Sequence, residues 1–347
     1  ASSYSIRVQV KDEYNATVEE AFTVSLSDVY EPSLPNHVVD LDSSVNLEMI
    51  WVESGTFIMG SPETETGRST NETQHEVTLT NGFYLGKYEV TQAQYEAVIT
   101  GVSGDLNATP SQFSGNPDRP VEQVSYDDIQ KFLIRLNAQE ASNIPAGWAY
   151  VLPTEAQWEY ACRAGTTTAY SWGDTISASD ANWNHGNDAN QTENVGLYSA
   201  NPWGFFDMHG NVREWTADAW GTYASGAQTD PFNAGATGSN RVRRGGSWGS
   251  TGPRARSANR INSNPSDRNG NIGFRVGLRD VNKAPIDFNS TYELTISENQ
   301  PAGTIVGEFN ATDPEGGVIT YLLVSGDGLT MEENGTLKTS KEFDYEA

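Results

Sequence analysis

The chain is poor in the residues that carry redox chemistry and in positive charge. A single cysteine, Cys162, and only four histidines occur among 347 residues. One thiol builds neither an internal disulfide framework nor a cysteine-based zinc site. The 21 lysines and arginines are outnumbered by 46 acidic residues, so the formal net charge is −25. Without a basic surplus to replace phosphate counterions, we expect no nucleic acid partner and favour cations, calcium first.

Long apolar stretches are missing as well. No run of about 18 apolar residues occurs, so we expect no membrane span in this chain. The sequence also shows no signal peptide and starts at Ala1. We therefore expect an internal piece of a longer protein, whose targeting signals lie elsewhere.

What is present at the two ends is a strand pattern, in which β-branched or aromatic residues alternate with polar ones. YSIRVQV (4–10) and VEEAFTVSL (18–26) predict two antiparallel strands, and further strand-like segments follow Asp280. The linker DVNKAP and the segments SENQPAGT, ATDPEGG and FDYE resemble the first two thirds of a cadherin-like repeat. Residues 1–31 resemble its last third. The ends are either parts of two successive repeats or one period of a head-to-tail assembly in which copies complete one another.

Between these ends the sequence predicts short strands, long loops and three helices. TQAQYEAVIT follows Glu89, and SYDDIQKFLIRLNAQ carries an apolar stripe behind the capping residue Ser125. In LPTEAQWEYACRAG, Thr154 is the predicted cap and Gln157 holds the capping-box position. Cys162 falls on this third helix, which favours a buried structural thiol over a reactive one.

The successive blocks MIWVESGTFIMGS, YLGKYEVTQAQYEAV, VLPTEAQWEYACRAG, NPWGFFDMHGNVREWTAD, RVRRGGSW and NIGFRV resemble the formylglycine-generating enzyme, or sulfatase-modifying factor, family. This resemblance implies an α+β, C-type-lectin-like central domain, flanked here by all-β cadherin- or immunoglobulin-like sandwich segments. We accordingly divide the chain into residues 1–31, a linker at 32–44, the sulfatase-modifying-factor-like domain at 45–279, and the second cadherin-like segment at 280–347.

The resemblance implies that oxidases of this family use two cysteines shortly after a Gly-Gly-Ser-aromatic block, which is residues 245–248 in this chain. Here Ser250 stands at the first of these positions and no sulfur is available for the second. We therefore expect no catalytic residue, no formylglycine generation and no copper, which thiolates select. His209 is expected to pack or bond locally rather than act as a base, and a metal role for His185 is disfavoured. A modified oxidase that uses Cys162 remains the enzymatic alternative.

The same resemblance implies calcium. Asp207 and Glu214, with the carbonyls of Gly210 and Val212, match one calcium site of the family, although Glu214 alternatively pairs with an arginine. A second site maps onto Asn182 and the Trp183 carbonyl, with further ligands from 187–194. The cadherin resemblance adds calcium ligands at the domain junctions: Asp12, Asp280, Asn282, Glu298, Asp313, Glu315, Asp344 and Glu346.

The segment 241–275 is the most basic part of an acidic chain. Its arginines either bridge loops internally or form a face for a glycan or protein ligand. Trp172, Trp183, Trp203 and Trp248 lie in predicted loops and keep a carbohydrate-binding lectin-like module as an alternative. From all of this we expect a non-catalytic, calcium-stabilised, adhesive or structural protein of a bacterial surface or filament. We also expect an extracellular or cell-surface location and self-association through the cadherin-like segments.

Overall fold

The structure is a computed structural model. It describes the backbone of residues 2–11, 17–26 and 286–290, together with residues 36–101, 106–185, 190–281, 294, 300–312, 321, 323 and 328–342. They divide into two units, one of residues 1–141 and 150–279 and the other of residues 142–149 and 280–347. No helix in the described ranges combines the length and the apolar character needed to cross a membrane.

The described residues form short strands and three α-helices. The strands are β1 (Ser2–Lys11), β2 (Thr17–Leu26), β3 (His37–Asp42), β4 (Val45–Val52), β5 (Gly55–Met59), β6 (His75–Leu79), β7 (Phe83–Gly86), β8 (Trp148–Val151), β9 (Arg213–Ala219), β10 (Gln228–Thr229), β11 (Arg241–Arg244), β12 (Ile261–Ser263), β13 (Ile272–Gly273), β14 (Gly277–Asp280), β15 (Ile286–Ser290), β16 (Ile305–Thr312), β17 (Leu329–Met331) and β18 (Thr336–Thr339). The helices are α1 (Gln92–Ile99), α2 (Tyr126–Glu140) and α3 (Glu155–Arg163).

In the first unit, the predicted hairpin is confirmed, because β1 and β2 pair antiparallel along their whole length. The larger sheets run in the orders β3-β4-β7-β14-β8, β10-β6-β5 and β12-β11-β9-β13. In the last of these, β11 pairs antiparallel with β9, and β13 pairs parallel with β9. This four-stranded sheet carries Arg213 and Glu214 on β9 and Arg243 and Arg244 on β11.

All three helices begin where the sequence predicts, because each starts with a capping box. Thr91, Ser125 and Thr154 accept from the backbone N–H three residues later, and the side chain at that later position caps in return. This reciprocal bonding satisfies backbone donors that have no partner within the helix. The apolar stripe of α2 is buried as predicted and consists of Ile129, Phe132, Leu133 and Leu136.

The main core packs α3 against β4, β5, β6 and β7. Trp158 and Cys162 on the helix are fully buried beside Phe205 and Met208. The prediction of a buried thiol is confirmed. Three aromatic rings pack together elsewhere in this unit. Phe132 stacks on Tyr95, with ring centroids 5.3 Å apart, and packs edge-on to Phe274, with centroids 5.2 Å apart.

In the second unit, the order of the sheet is β15-β16-β18-β17. Two of the strand-like segments expected after Asp280 are confirmed, because TIVGEF overlaps β16 and TLKT forms β18, and these strands pair antiparallel. Two further strand-like segments expected after Asp280, YELTISE and VITYLLVSG, lie mostly outside the described residues.

Candidate functional site: an arginine-lined recess

Most arginines of the 241–275 segment bridge parts of the fold. Five of them form ion pairs with carboxylates elsewhere in the chain. The pairs are Arg244 with Glu159, Arg256 with Glu65 and Glu72, Arg260 with Glu155, Arg268 with Asp128, and Arg275 with Glu214. The expectation of internal bridging therefore describes these five arginines.

Arg243 and Arg254 have a different environment. Together with Arg213 they line an open recess of about 690 Å³. Asp267 is the one carboxylate among the described residues that line it, and Arg268 on its rim is already paired with Asp128. The lining therefore carries a surplus of positive charge in a chain whose net charge is strongly negative.

Strand alternation explains why some of these charged side chains form internal ion pairs while their immediate neighbours line the recess. Successive side chains of a strand point to opposite faces of the sheet. On β11, Arg243 lines the recess, whereas its neighbour Arg244 pairs with Glu159 of α3. On β9, Arg213 lines the recess, whereas Glu214 is buried with Arg275. One face of the sheet thus carries the ion pairs of the core, and the other carries the guanidinium groups of the recess.

The two strand arginines are buried with part of their hydrogen-bonding capacity unused. Arg213 is 5% exposed and Arg243 is 8% exposed. The Arg213 Nη1 and Arg243 Nε atoms are buried and lack hydrogen-bond partners. Arg243 instead lies over the Trp215 ring, 5.2 Å from its centroid. Burial, and next the charges of Arg243 and Arg254, lowers the pKa of Arg213 to about 10. Burial also lowers the pKa of Arg243 to about 10, while Asp267 raises it.

Ser250, the residue at the expected cysteine position, belongs to this recess. Its Oγ accepts from Arg213 Nη2 at 3.0 Å and lies 3.0 Å from the Ser247 Oγ. The loop reaches this place through Gly245 and Gly246, whose φ angles of 89° and 76° favour glycine. A Cβ at Gly246 would lie 2.8 Å from the Ala255 Cα, so the glycine is also sterically required.

The one thiol offers no substitute for the absent cysteines. Cys162 is fully buried in α3 and does not line the recess. Its Sγ lies 3.9 Å from the Met208 carbonyl oxygen and 3.6 Å from His209 Nε2. Burial raises the pKa of Cys162 to about 12, so the thiolate is not populated near neutral pH.

His209 is held as a neutral ring by local hydrogen bonds. Its Nδ1 lies 2.7 Å from the Ala255 carbonyl oxygen, which assigns the proton to Nδ1. Its Nε2 accepts from the backbone N–H of Ser171 at 3.2 Å. Burial lowers the pKa of His209 to about 4. Both nitrogens are occupied, as the expectation of local bonding requires. His185 is half-buried, and its ring packs edge-on to Trp183.

Two residues of the first predicted calcium site, Asp207 and Glu214, belong to a buried acidic cluster that also contains Glu89. Glu214 accepts from Arg275 through both carboxylate oxygens, at 2.7 Å each, and from Trp158 Nε1 at 2.7 Å. Asp207 Oδ2 accepts from the Gly196 N–H at 2.7 Å, and burial raises the pKa of Asp207 to about 6. The carboxylate of Glu214 is satisfied without a metal, and pairing with an arginine is the alternative that the sequence left open.

The other two predicted ligands of that site lie on the neighbouring loop. Val212 donates its N–H to Glu89 Oε1 at 2.9 Å. Gly210 has a φ of 102° and packs closely on Asn182. A Cβ added to Gly210 would lie 2.3 Å from the carbonyl oxygen of Asn182. No group of three or more His, Cys, Asp or Glu side chains within the described ranges is arranged to hold a metal ion.

The second predicted site is close to this loop. The Asn182 side chain donates to the Gln191 carbonyl oxygen and to Asn211 Oδ1, at 3.1 and 3.3 Å. The Trp183 carbonyl accepts from the His185 N–H. Calcium at either site stays a prediction.

Of the junction residues, the structure describes Asp280 at the end of β14. The others lie outside the described residues: Asp12, Asn282, Glu298, Asp313, Glu315, Asp344 and Glu346.

Sequence reasoning missed two important side chains, Glu89 and Arg213. Glu89 is fully buried and bonds Asn211 and Val212 through its two oxygens. Burial, then the charges of Asp207 and Glu214, raises the pKa of Glu89 well above its ordinary value. Arg213 directly precedes Glu214 in NVREW, and the alternation of a strand at that point was the signal that could have assigned the two residues to opposite faces.

The fold and this site define a loop-rich α+β domain that has a buried ionic framework and a basic recess on one sheet face. The chain belongs to the family of sulfatase-modifying factor enzyme 1-like domains, which matches residues 38–280.

Three similar proteins illustrate the breadth of the family. The chain is 32% identical over 238 residues to the serine/threonine-protein kinase pkn1 of Chlamydia caviae, covering 66% of the chain and 37% of that protein. It is 35% identical over 184 residues to the formylglycine-generating enzyme of Streptomyces coelicolor, covering 48% and 54%. Among solved structures, PvdO from Pseudomonas aeruginosa matches with a TM-score of 0.60 and 30% identity, covering 70% of the chain and 97% of that structure.

The chain thus spans little more than a third of the length of the Chlamydia relative. The family contains proteins named as formylglycine-generating enzymes and proteins with other names. Membership therefore fixes the fold of residues 38–280 and leaves the activity to be argued from the site.

Proposed function

We propose that this chain is a non-catalytic member of its family, whose central domain acts as a structural and ligand-binding module. The observation that carries this proposal is the position of Ser250. A hydroxyl bonded to Arg213 stands where the resemblance places the first reactive cysteine. A nucleophile of this kind requires an adjacent base, and Ser250 bonds an arginine and a second serine instead.

The burial of Cys162 supports the same proposal. A modified oxidase would need this thiol to reach a substrate, but the side chain is enclosed in the core with its pKa raised. Binding of copper(I) also requires soft sulfur ligands, which one enclosed thiol does not supply.

We further propose that the central domain is displayed outside the cell between cadherin-like segments. The support comes from the sequence, where residues 1–31 and 280–347 resemble complementary parts of one repeat. In this proposal, copies associate head to tail and the strands of one copy complete the sheet of the next. The function is adhesive or structural.

Calcium is proposed as the stabilising ion, supported by the surplus of carboxylates. Glu89, Asp207 and Glu214 are buried near a single compensating arginine, Arg275, and the pKa of both Glu89 and Asp207 is raised. Mixed carboxylate, amide and carbonyl oxygens are the ligands that calcium prefers. In the first proposed site Asp207, Glu214 and the carbonyls of Gly210 and Val212 would hold the ion. In the second, Asn182 and the Trp183 carbonyl would do so.

Mass spectrometry of a cysteine-containing sulfatase peptide tests the non-catalytic proposal. The peptide is incubated with the protein, oxygen, copper(I) and a thiol reductant, and the formylglycine-generating enzyme of Streptomyces coelicolor is the positive control. We expect the cysteine to remain unconverted under conditions in which the control converts it. Formation of the aldehyde by this chain would overturn the proposal.

A further inference from the structure

We propose that the recess formed by Arg213, Arg243 and Arg254 binds a compact oxyanion, either a carboxylate or a sulfate group. This inference rests on the proposed ligand-binding function, and it names the chemical class of the ligand. Three arginines and one aspartate leave the lining with a surplus of two positive charges, since Arg268 is paired with Asp128. A ligand with one or two negative charges matches this surplus.

The unused donors of the two buried arginines point to the same class of ligand. The Arg213 Nη1 and Arg243 Nε atoms are buried without partners, although unsatisfied buried donors carry a substantial cost. Burial lowers the pKa of both side chains to about 10, so they stay charged at neutral pH. A guanidinium group offers paired N–H donors whose spacing matches the oxygens of a carboxylate or sulfate. An anion in the recess would therefore supply the counter-charge that these two guanidinium groups lack.

The lack of a carboxylate partner separates Arg213 and Arg243 from five other arginines, although the buried Arg244 Nε also has no hydrogen bond. Arg244, Arg256, Arg260, Arg268 and Arg275 each have a carboxylate partner from the chain itself. Arg213 is 5% exposed, as is Arg260, and Arg243 is 8% exposed, yet neither Arg213 nor Arg243 has a carboxylate hydrogen-bonded to it. The bound anion would take the place that an internal carboxylate occupies elsewhere on the sheet.

The charge of the whole chain restricts the size of the ligand. A net charge of −25 repels long polyanions such as nucleic acids, since only a local part of the surface is basic. A single acidic group on a small molecule, or at one point of a larger ligand, avoids most of this repulsion.

Isothermal titration calorimetry at constant ionic strength tests this inference, with glutarate and sodium sulfate as two separate probes. We expect saturable binding of at least one probe at one site per chain, and a separate titration series at higher chloride concentration should give a weaker affinity. The stronger probe distinguishes a carboxylate ligand from a sulfate ligand.

Two variants locate the binding. Arg254→Gln changes an exposed arginine and should weaken binding about tenfold, the loss of one charge-assisted hydrogen bond. Ser250→Asp places a carboxylate beside the Arg213 Nη2 and should abolish binding while raising the melting temperature. Arg135→Gln removes the same charge from α2, outside the recess, and should bind like the wild type.

Two results would overturn the inference. One is the absence of saturable binding of both probes to the folded wild-type protein. The other is an affinity that is equal in the wild type, Arg254→Gln and Ser250→Asp. Either result would leave the peptide experiment unaffected, because that assay reports chemistry rather than anion binding.

Discussion

At the scale of single residues, the first unit is organised by charges that are buried and paired. Glu214 and Arg275 are both fully buried, and the guanidinium group bonds the carboxylate at two points while its remaining donors reach the carbonyls of Gly86 and Phe206. Removal of one partner from such a pair is costly because the other charge stays buried without compensation. These residues therefore hold the loops around β9 in place.

We predict that Glu214→Gln lowers the free energy of unfolding by about 3–5 kcal/mol, because Arg275 loses its counter-charge. The matched control is Glu48→Gln, which breaks the more exposed pair with Lys87 and should cost less than about 1 kcal/mol. Urea unfolding monitored by tryptophan fluorescence measures both variants. Similar losses for the two would contradict the structural role of the buried pair.

The Glu214→Gln variant also distinguishes a role of Glu214 in the ion pair with Arg275 from a role as a calcium ligand. If Glu214 acts through Arg275, the loss should be the same with calcium and with EDTA. A loss that appears only with calcium present would instead assign Glu214 to the metal.

Asp218 gives the second prediction at this scale, which concerns pH. Its oxygens accept from the backbone N–H groups of Glu155 and Asn233, at 2.6 and 3.0 Å. Burial, and next the charge of Glu155, raises the pKa of Asp218 to about 7, whereas an unfolded aspartate titrates near 4. Between about pH 4 and pH 7 the folded state therefore binds more protons than the unfolded state. The resulting stabilisation is present below about pH 4 and is lost as the pH rises through about 7.

Asp218→Asn should remove this dependence, because asparagine stays neutral. We predict that the stability of the variant relative to wild type increases by up to about 4 kcal/mol between pH 4 and pH 8. Any constant cost from the altered hydrogen bonds cancels in this comparison. Urea unfolding across the pH range measures it, and a difference that does not change with pH would refute the raised pKa.

At the scale of elements, local sequence signals place the helices. The Ser125 Oγ accepts from the Asp128 N–H at 3.1 Å, and Asp128 Oδ2 accepts from the Ser125 N–H at 3.0 Å. Arg268 completes the arrangement by pairing with the same aspartate. The start of α2 is therefore tied both to its own first turn and to a loop far along the chain.

We predict that Ser125→Ala lowers the free energy of unfolding by about 1 kcal/mol, the usual cost of a lost helix cap. Ser114→Ala, at an exposed loop position, is the control and should change stability by less than about 0.5 kcal/mol. Thermal and urea unfolding measure both. Equal effects would show that the cap contributes nothing to α2.

The helices and the hairpin β1–β2 could be predicted because their signals lie within a few residues of one another. The recess could not, because Arg213 and Arg243 meet only through the pairing of β9 with β11. The partners of the other arginines are even more distant in sequence, as Glu72 is from Arg256. The family resemblance identified the position of Ser250, but the division of arginines between the two faces of the sheet required the strand register.

At the scale of the whole molecule, the first unit keeps the scaffold of its family and has one thiol, which is buried. Residues 38–280 carry the family fold, and Cys162 lies in the core of that region. The ionic framework positions a basic recess where the resemblance places thiol chemistry. The proposed change of function thus follows from side-chain replacement on a retained backbone.

The most direct test of this conclusion is a copper(I) titration against a chromophoric competing chelator under anaerobic, reducing conditions. We predict that the folded protein withdraws no copper(I) from the chelator and that Cys162→Ala behaves identically, because no exposed thiolate is present. Transfer of one equivalent of copper(I) per chain to the wild type, lost in Cys162→Ala, would contradict the non-catalytic assignment.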